Sequence, residues 1–167
     1  MQVRKATVGD ARRIEEIRVH TWRVAYRHLL PPDGLDAMPI DETRWVHRIV
    51  EPPPGWAVFV AEDAGSVIGF AAIGPSRDQH GPGELFAIYV EHHAWSTGAG
   101  RALIERAELE LAKNYEIALL WVLEENDRAR RFYERAGWEL EGLRKIESFL
   151  ATEVAEVRYR KQLPNRH

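Results

Sequence analysis

The sequence predicts an α/β (α+β) fold in which helices cover both faces of a mixed sheet. Two observations lead to this prediction. Apolar runs rich in β-branched and aromatic residues alternate with segments of helical period, in the order strand, two helices, three strands, helix, strand, helix, two strands. The length of 167 residues suits a single domain over residues 1–167 that buries most of its apolar surface.

Composition excludes several classes of protein. The net charge of −3 does not suit a nucleic-acid-binding protein, which usually presents a basic face. Cysteine is absent, so disulfides and thiolate metal sites are excluded. No apolar stretch is long enough to span a membrane, and the first residues lack the apolar core of a signal peptide. Together these features predict a cytoplasmic protein without membrane or nucleic-acid partners.

The first third of the chain predicts a short strand and two helical segments. The strand covers residues 3–6. Thr7 and Asp10 have the spacing of a capping box, and a long helix follows to about residue 30, where two prolines stop it. A second helical segment covers residues 33–50 and is interrupted near Pro39. The inner face of the long helix is predicted to comprise Ala11, Ile14, Ile17, Thr21, Val24 and Ala25, with Val19, Trp22 and Tyr26 on its flank.

The hydrophobic period changes in the middle of the chain. Residues 56–61 and 67–73 are typical of strands, and residues 63–66 between them have the composition of a hairpin turn. A polar loop at residues 74–83 precedes the next strand at residues 84–90. This third of the chain therefore predicts three consecutive strands.

The last third predicts a helix, a strand, a second helix and two closing strands. The first helix covers about residues 101–113 and the strand covers residues 116–123. Asn126 is placed to cap the second helix, and Gly137 lies just past its end. The closing strands cover residues 138–147 and 154–163, and Ala129, Phe132, Tyr133 and Ala136 form the inner face of the second helix.

The junction after the fourth strand predicts an anion site. A strand, a turn with Gly98 and Gly100, and then a helix leave several backbone N–H groups pointing into one hollow, where the helix dipole adds partial positive charge. Phosphate is the expected anion. A P-loop is excluded because no lysine follows Gly100, and a dinucleotide loop lacks its third glycine because Leu103 stands there.

Two motifs resemble those of the GNAT superfamily of N-acetyltransferases. Residues 95–100 are similar to its pyrophosphate loop, Gln/Arg-x-x-Gly-x-Gly/Ala. Residues 126–138 resemble the second motif, which runs from an asparagine to a Gly-Phe pair; here Trp138 replaces the phenylalanine, and the motif begins 26 residues after Gly100. The opening and closing segments of the chain are similar as well, so the resemblance covers nearly all of it.

The loop departs from the family pattern at two positions. Trp95 stands where glutamine or arginine is usual, and His92 stands where proline is common. Both glycines are intact, and backbone N–H groups do most of the phosphate binding in such loops, so we expect a working site with weaker side-chain contacts. Arg101 or Arg130 is expected to reach a phosphate or to lie in solvent.

The resemblance implies a GNAT-type acyl-CoA N-acyltransferase fold with a mostly antiparallel sheet of about seven strands. It implies transfer of the acetyl group of acetyl-CoA to a primary amine of a small molecule, amino acid or peptide, by direct attack in a ternary complex and without a metal. A homodimer is a further expectation of the resemblance. The implied donor-binding residues are Ile88, Tyr89, Val90, Trp95, Ser96, Thr97, Gly98, Ala99, Gly100, Arg101, Asn126 and Tyr133.

Two other functions stay open at this point. One is a catalytically silent CoA-binding sensor of the same fold, which would bind acetyl-CoA and release no thiol with any amine. The other is a dinucleotide-binding enzyme, against which the missing third glycine argues.

The family position assigns the chemistry to two residues. An amine is mostly protonated at neutral pH and must lose a proton before it attacks. Glu84, at the start of the fourth strand, is the expected base, and Tyr133 is the expected acid that protonates the leaving thiolate. His80, His92 and His93 are rivals for the base because the ordinary pKa of histidine suits the task, although their loop positions suit solvent exposure.

The acceptor pocket is expected between the first helical region, residues 74–83 and residues 144–152. Trp22 and Tyr26 form either an aromatic wall beside this pocket or part of the core. No pattern in the sequence identifies the acceptor. Three acidic residues either attract a cationic amine or form a solvated acidic loop: Asp33, Asp36 and Asp41.

Overall fold

A computed structural model describes residues 1–164 and contains one seven-stranded sheet with the strand order β1-β2-β3-β4-β5-β7-β6. This is the expected mixed, mostly antiparallel sheet, and the element order matches the predicted order, with the interrupted second helical segment present as two short helices, α2 and α3. The elements are β1 (Gln2–Lys5), α1 (Ala11–Ala25), α2 (Pro32–Asp36), α3 (Thr43–Val50), β2 (Ala57–Asp63), β3 (Ser66–Pro75), β4 (Gly83–Val90), α4 (Ala99–Leu111), β5 (Ile117–Leu123), α5 (Asp127–Arg135), β6 (Glu139–Phe149) and β7 (Thr152–Gln162).

Helices lie on both faces of the sheet, as predicted. Alternate residues of β2 point to opposite faces, so Phe59 packs in the core beneath α4 and α5, whereas Val60 packs in the core beneath α1 and α3. A third apolar cluster, which includes Leu30 and Leu35, joins the end of α1 to α2. Within residues 1–164, no helix is long and apolar enough to cross a membrane.

The first helix differs from its prediction in length and in its buried face. The capping box of Thr7 and Asp10 is present, but α1 ends at Ala25 and the chain continues as turns, where Leu29 and Leu30 both donate to the carbonyl of Tyr26. A proline restricts the residues before it, which disfavours a helix that runs up to residue 30. Packing against both the sheet and α3 widens the buried face, which includes Val19 but not Val24.

The predicted hairpin between β2 and β3 is confirmed. Ala64 and Gly65 form its turn with φ of 49° and 79°. Positive φ at both central residues gives the chain a twist that matches the twist of the flanking strands.

The sheet opens between β4 and β5. These strands are parallel and pair only at Gly83 with Ala118 and at Glu84 with Leu119, and every other strand pairing among residues 1–164 is antiparallel. A β-bulge places Phe86 as an extra residue in β4 at the point where the strands separate. Within residues 1–164, the edge of β4 that faces β5 therefore has no strand beside it beyond Glu84, and a cleft takes the place of the missing pairing.

The capping carboxylate is expected to stabilise the entry to α1. Asp10 accepts hydrogen bonds from both terminal nitrogens of Arg4, at 2.8 and 3.1 Å, and from the backbone N–H of Thr7 at 2.8 Å. The Arg4 guanidinium lowers the pKa of Asp10, mainly through these hydrogen bonds. Replacing Asp10 by Asn is expected to lower the free energy of unfolding at pH 7 by about 2 kcal/mol.

Denaturant unfolding across a pH series measures this contribution. Because the folded-state pKa of Asp10 is lowered, its contribution is complete above the unfolded-state pKa of about 4 and is lost as pH falls through the folded-state pKa. Asp63→Asn is the control, because Asp63 is 59% exposed and its partner, the N-terminal amine, is 3.6 Å away. An Asp10 variant no less stable than the control would contradict the prediction.

Candidate active site

The open region of the sheet contains a cleft of about 1190 Å³. Its walls come from the separated strands β4 and β5, the first turn of α4, α5, the helices α1 and α3, and the strands β6 and β7. Most of the residues predicted for the donor site line it, namely Ile88, Tyr89, Val90, Trp95, Ser96, Gly98, Gly100, Arg101, Asn126 and Tyr133, whereas Thr97 and Ala99 do not.

The first turn of α4 has the geometry of an anion site. Gly98 precedes the helix with φ of 91°, and Ser96 also has positive φ, at 66°. A Cβ at Gly98 would meet no atom within 4 Å, so backbone conformation rather than space calls for glycine there. At Gly100 a Cβ would lie 3.3 Å from the ring of Phe132, which keeps α4 close to α5. The N–H groups of this turn have no partner within the helix.

Thr97 and Ala99 direct their side chains away from the cleft. The hydroxyl of Thr97 donates to the carbonyl of Ala94 at 2.5 Å, which closes the turn before the helix. Ala99 is buried in the core beneath α4. Any contribution of these two residues to anion binding therefore comes from their backbone N–H groups.

Trp95 ties the loop to the strand before it. Its indole N–H donates to the carbonyl of Val90 at 2.8 Å, and the guanidinium of Arg128 lies 3.5 Å from the centre of its ring. The contact with Arg128 joins the loop to α5 across the cleft. A tryptophan can make both contacts because it combines one N–H donor with a large π-face.

Arg128 is a cation of the cleft that sequence reasoning missed. It lines the cleft, and burial lowers its pKa. Arg130, one of the two arginines expected near a phosphate, instead binds the carbonyl of Glu124 and the hydroxyl of Tyr159. Arg101, the other, lines the cleft but is 82% exposed and pairs with a glutamate one turn along α4. The nearness of Arg128 to Trp95 arises from the packing of α5 against the loop, which no local pattern encodes.

Asn126 caps α5 as predicted. Its side-chain oxygen accepts a hydrogen bond from the backbone N–H of Ala129 at 3.2 Å. The same residue lines the cleft, so capping and ligand contact are compatible.

Tyr133 presents a buried phenol to the cleft. Its side chain packs against Trp138 and Tyr159, and its hydroxyl has no hydrogen-bond partner among residues 1–164. Burial raises the pKa of Tyr133 well above the ordinary value for a phenol, with a smaller contribution from Tyr89. Tyr133 therefore holds its proton throughout the neutral range, as a general acid must.

The two aromatic residues predicted near the acceptor pocket are both wall and core. Trp22 and Tyr26 line the cleft, with their rings 5.1 Å apart in an edge-to-face contact. The indole N–H of Trp22 donates to the hydroxyl of Tyr89 at 3.1 Å. Tyr26 is also buried in the apolar cluster at the end of α1. Both residues therefore belong to the wall of the cleft and to the core, and their place beside the acceptor stays a prediction.

Glu84 lies outside the wall of the cleft, held by an ion pair. It is 1% exposed, and its carboxylate accepts hydrogen bonds from the backbone N–H of Arg77 at 3.1 Å and from its guanidinium at 2.6 Å. A carboxylate held in this way has no free oxygen directed at the cleft. The role of Glu84 as base stays a prediction, and this placement argues against it.

The three histidines considered as alternative bases do not line the cleft. His80, His92 and His93 are exposed, and the ring of His92 packs against Trp95. No group of three or more His, Cys, Asp or Glu side chains that could hold a metal ion lies within residues 1–164.

A different carboxylate, Glu156 on β7, does line the cleft. Its side chain is 15% exposed, and its nearest cation is the Lys145 ammonium at 3.9 Å. Burial raises the pKa of Glu156, which makes it a stronger base than an exposed glutamate. Glu147 on β6 lines the cleft beside it. Sequence reasoning missed Glu156, although it lies in the closing strand predicted at residues 154–163. Its place beside the end of β5 is set by strand pairing with Leu123.

The polar loop after β3, which was predicted to border the acceptor pocket, is held against the sheet. Asp78 accepts a hydrogen bond from the indole N–H of Trp121 at 2.6 Å, and the buried Arg158 binds Gln79 and Glu141. The three acidic residues predicted to attract a cationic amine, Asp33, Asp36 and Asp41, do not line the cleft. Asp36 pairs with Arg27, and Asp41 binds the backbone at the start of α3.

Known proteins resemble this chain along most of its length. The model of the acetyltransferase (GNAT) family matches residues 12–138. The uncharacterized N-acetyltransferase YuaI of Bacillus subtilis (strain 168) is 38% identical over 130 residues, which are 74% of this chain and 72% of that protein. The probable N-acetyltransferase Rv2775 of Mycobacterium tuberculosis (strain ATCC 25618 / H37Rv) is 27% identical over 145 residues, 85% of this chain and 82% of that protein.

Solved structures share the fold. The PaiA N-acetyltransferase from Thermoplasma acidophilum, in complex with coenzyme A, has a TM-score of 0.80 and 17% identity over 96% of this chain and 98% of that one. The yncA protein from Salmonella typhimurium, with its cofactor acetyl-CoA, has a TM-score of 0.78 and 19% identity over 100% of this chain and 96% of that one. At these identities the likeness concerns the fold alone.

Proposed function

We propose the substrates of this chain from its family, since it belongs to the acetyltransferase (GNAT) family and is an acetyltransferase. The proposed donor is acetyl-CoA, and the proposed acceptor is a primary amine. The amine belongs to a small molecule, an amino acid or a peptide and attacks the thioester directly while both substrates are bound. The observation that carries this proposal is the cleft between β4 and β5, which is lined by the first turn of α4, by Tyr133 and by Glu156.

The residues of the cleft fit a coenzyme A donor. Free N–H groups at the start of α4 and the nearby Arg128 suit a diphosphate. Beyond Glu84 the edge of β4 that faces β5, which includes Ile88, Tyr89 and Val90, has no strand beside it among the described residues. Backbone groups that point to this edge are available to an extended amide-bearing arm, apart from the Val90 carbonyl, which accepts from the indole of Trp95. The coenzyme A and acetyl-CoA bound in the two structural relatives support the same donor.

The donor supplies an acetyl group activated as a thioester, and side chains of this chain manage the protons. We assign the base to Glu156, whose carboxylate accepts a proton from the acceptor ammonium before attack. A backbone N–H of the free β4 edge donates to the oxygen that gains negative charge. Tyr133 gives its proton to the leaving thiolate as the C–S bond breaks, and the attacking nitrogen loses its second proton to solvent as the amide forms. Glu156 then releases its proton to solvent, and Tyr133 regains one from solvent.

A thiol-release assay tests the proposed function. Purified protein is mixed with acetyl-CoA and a panel of primary amines, and free coenzyme A is measured with a thiol reagent. We expect release that depends on both the enzyme and the amine, with matching N-acetylated product by mass spectrometry. Calorimetric binding of acetyl-CoA without release from any amine would support the sensor alternative instead, and tighter binding of NAD than of coenzyme A would overturn the donor assignment.

A further inference from the structure

Four arginines line the acceptor side of the cleft. They come from distant parts of the chain: Arg18 from α1, Arg44 and Arg48 from α3, and Arg77 from the loop after β3. The four side chains form a row. Arg18 is close enough to Arg44 to repel its charge, and Arg44 and Arg77 are both close enough to Arg48 to repel its charge. We refer to these four residues as the arginine row.

The two ends of the arginine row are neutralised, whereas the middle is not. Arg18 binds Glu15 at 2.6 Å and Arg77 binds Glu84 at 2.6 Å. Arg44 lies 3.9 Å from Glu15, which Arg18 already binds more closely, and Arg48 has no ion pair among residues 1–164. The middle of the row therefore holds positive charge without its own counter-ion in the described protein.

Aromatic rings hold the middle arginines in place. The guanidinium of Arg48 lies 4.6 Å from the ring centre of Trp56, which stacks on Phe86 at 4.1 Å. The guanidinium of Arg44 lies 5.0 Å from the ring centre of Trp45. A guanidinium stacked by its face keeps its N–H donors free at its edge, where they match the oxygens of a carboxylate or phosphate.

Burial and mutual repulsion add to the cost of these charges. Burial lowers the pKa of Arg44, and Arg18 lowers it further. Burial also lowers the pKa of Arg48, as do Arg44 and Arg77. Charges placed together in a partly buried wall are stabilised when an anion binds between them.

The cleft also carries negative charge, which comes from β6 and β7. Glu147 and Glu156 line it from β6 and β7, and Lys145 offsets part of their charge at 3.4 and 3.9 Å. The acceptor side therefore has a cationic wall and an anionic wall, which suits a ligand with charges of both signs.

Resting on the proposed function, we infer that the acceptor is an amine that also carries an anionic group, a carboxylate or a phosphate, which Arg44 and Arg48 bind. The ammonium end of such a molecule faces Glu156 and Glu147, and its anionic end faces the middle of the arginine row. Amino acids and phosphorylated amines belong to this class, whereas polyamines do not.

Matched acceptors test this inference in the thiol-release assay. Each L-amino acid is compared with its amide, phosphoethanolamine with ethanolamine, and putrescine serves as the dication. We expect kcat/KM to be at least about tenfold higher for the anionic member of a productive pair, as charge-assisted hydrogen bonds to arginine provide. Which pair responds separates a carboxylate from a phosphate. Equal or better use of putrescine or of the uncharged members would overturn the inference.

Variants tie the preference to the arginine row. Arg44→Gln and Arg48→Gln are each expected to raise KM for the anionic acceptor about tenfold. Coenzyme A binding by calorimetry checks that each variant is folded, with the dissociation constant expected to stay within about twofold of the wild-type value. Arg12→Gln is the control, because Arg12 is 61% exposed and lies outside the cleft. An unchanged preference in both variants would remove these residues from the acceptor site.

A binding experiment keeps the two proposals separable. If the wild-type protein binds coenzyme A but releases no thiol with any acceptor, the transferase proposal fails. The anion site is then decided by calorimetric titration of the same matched pairs into the coenzyme A complex. Tighter binding of the anionic members that Arg48→Gln abolishes would support the site, and equal binding of both members would overturn it.

Discussion

Tyr133→Phe is expected to lower kcat about 100-fold or more, because the variant loses the proton that the leaving thiolate takes up. KM for acetyl-CoA is expected to change little, since the aromatic ring keeps its contacts with Trp138 and Tyr159. The free energy of unfolding should stay within about 0.5 kcal/mol of the wild-type value, because the Tyr133 hydroxyl has no hydrogen-bond partner among the described residues to lose. Steady-state thiol release and denaturant unfolding measure the two quantities.

A second tyrosine supplies the control for this experiment. Tyr115 packs against the core and does not line the cleft, so Tyr115→Phe is expected to leave kcat unchanged. Because the pKa of Tyr133 is raised by burial, its deprotonation should not reduce the rate at pH values below the ordinary phenol pKa of about 10. Full turnover by Tyr133→Phe would show that the thiolate leaves without this acid.

Glu156→Gln is expected to lower kcat/KM about 100-fold at pH 7, because the acceptor ammonium loses its base. In the wild-type protein kcat/KM should fall as pH falls through the pKa of Glu156, since only the ionised carboxylate accepts a proton. Burial raises that pKa, so this fall begins at a higher pH than for an exposed glutamate. In the variant this acidic limb of the pH profile should disappear. The pH dependence of kcat/KM over about pH 5 to 9 measures both effects.

Two other glutamates separate this role from that of a general negative charge. Glu147→Gln removes a neighbouring charge and should keep the acidic limb. Glu84→Gln breaks the buried pair with Arg77 and should lower the stability, while it also keeps the limb. Loss of the limb in Glu84→Gln, with the limb retained in Glu156→Gln, would return the role of base to Glu84.

Stability distinguishes a lost base from a misfolded variant. The folded-state pKa of Glu156 is raised, so ionising it costs more in the folded than in the unfolded protein at pH values above its unfolded-state pKa. Glu156→Gln should therefore unfold no more easily than the wild-type protein at pH 7. Glu147→Gln, which removes a neighbouring charge, is the matched comparison for stability. A clear loss of stability in Glu156→Gln alone would assign its loss of rate to misfolding and not to a missing base.

Local features of this protein could be predicted from its sequence. The hairpin at Ala64 and Gly65, the capping box at Thr7 and Asp10, and the cap at Asn126 all appear where the sequence indicated them. Each depends on the conformational preferences of a few neighbouring residues and on hydrogen bonds that span three or four positions. The order of strands and helices followed from hydrophobic period for the same reason.

The chemical character of the cleft was decided by contacts between distant parts of the chain. Glu84 had a suitable residue type at a suitable position, but its carboxylate is held by Arg77. The carboxylate that lines the cleft and has a pKa raised by burial is Glu156, on a strand near the end of the chain. The arginine row likewise joins residues from α1, α3 and a loop. Periodicity indicates which face of an element a residue occupies, but not what lies opposite that face. The charge, burial and proton affinity of these groups depend on that opposite surface, and only the packing of the whole chain supplies it.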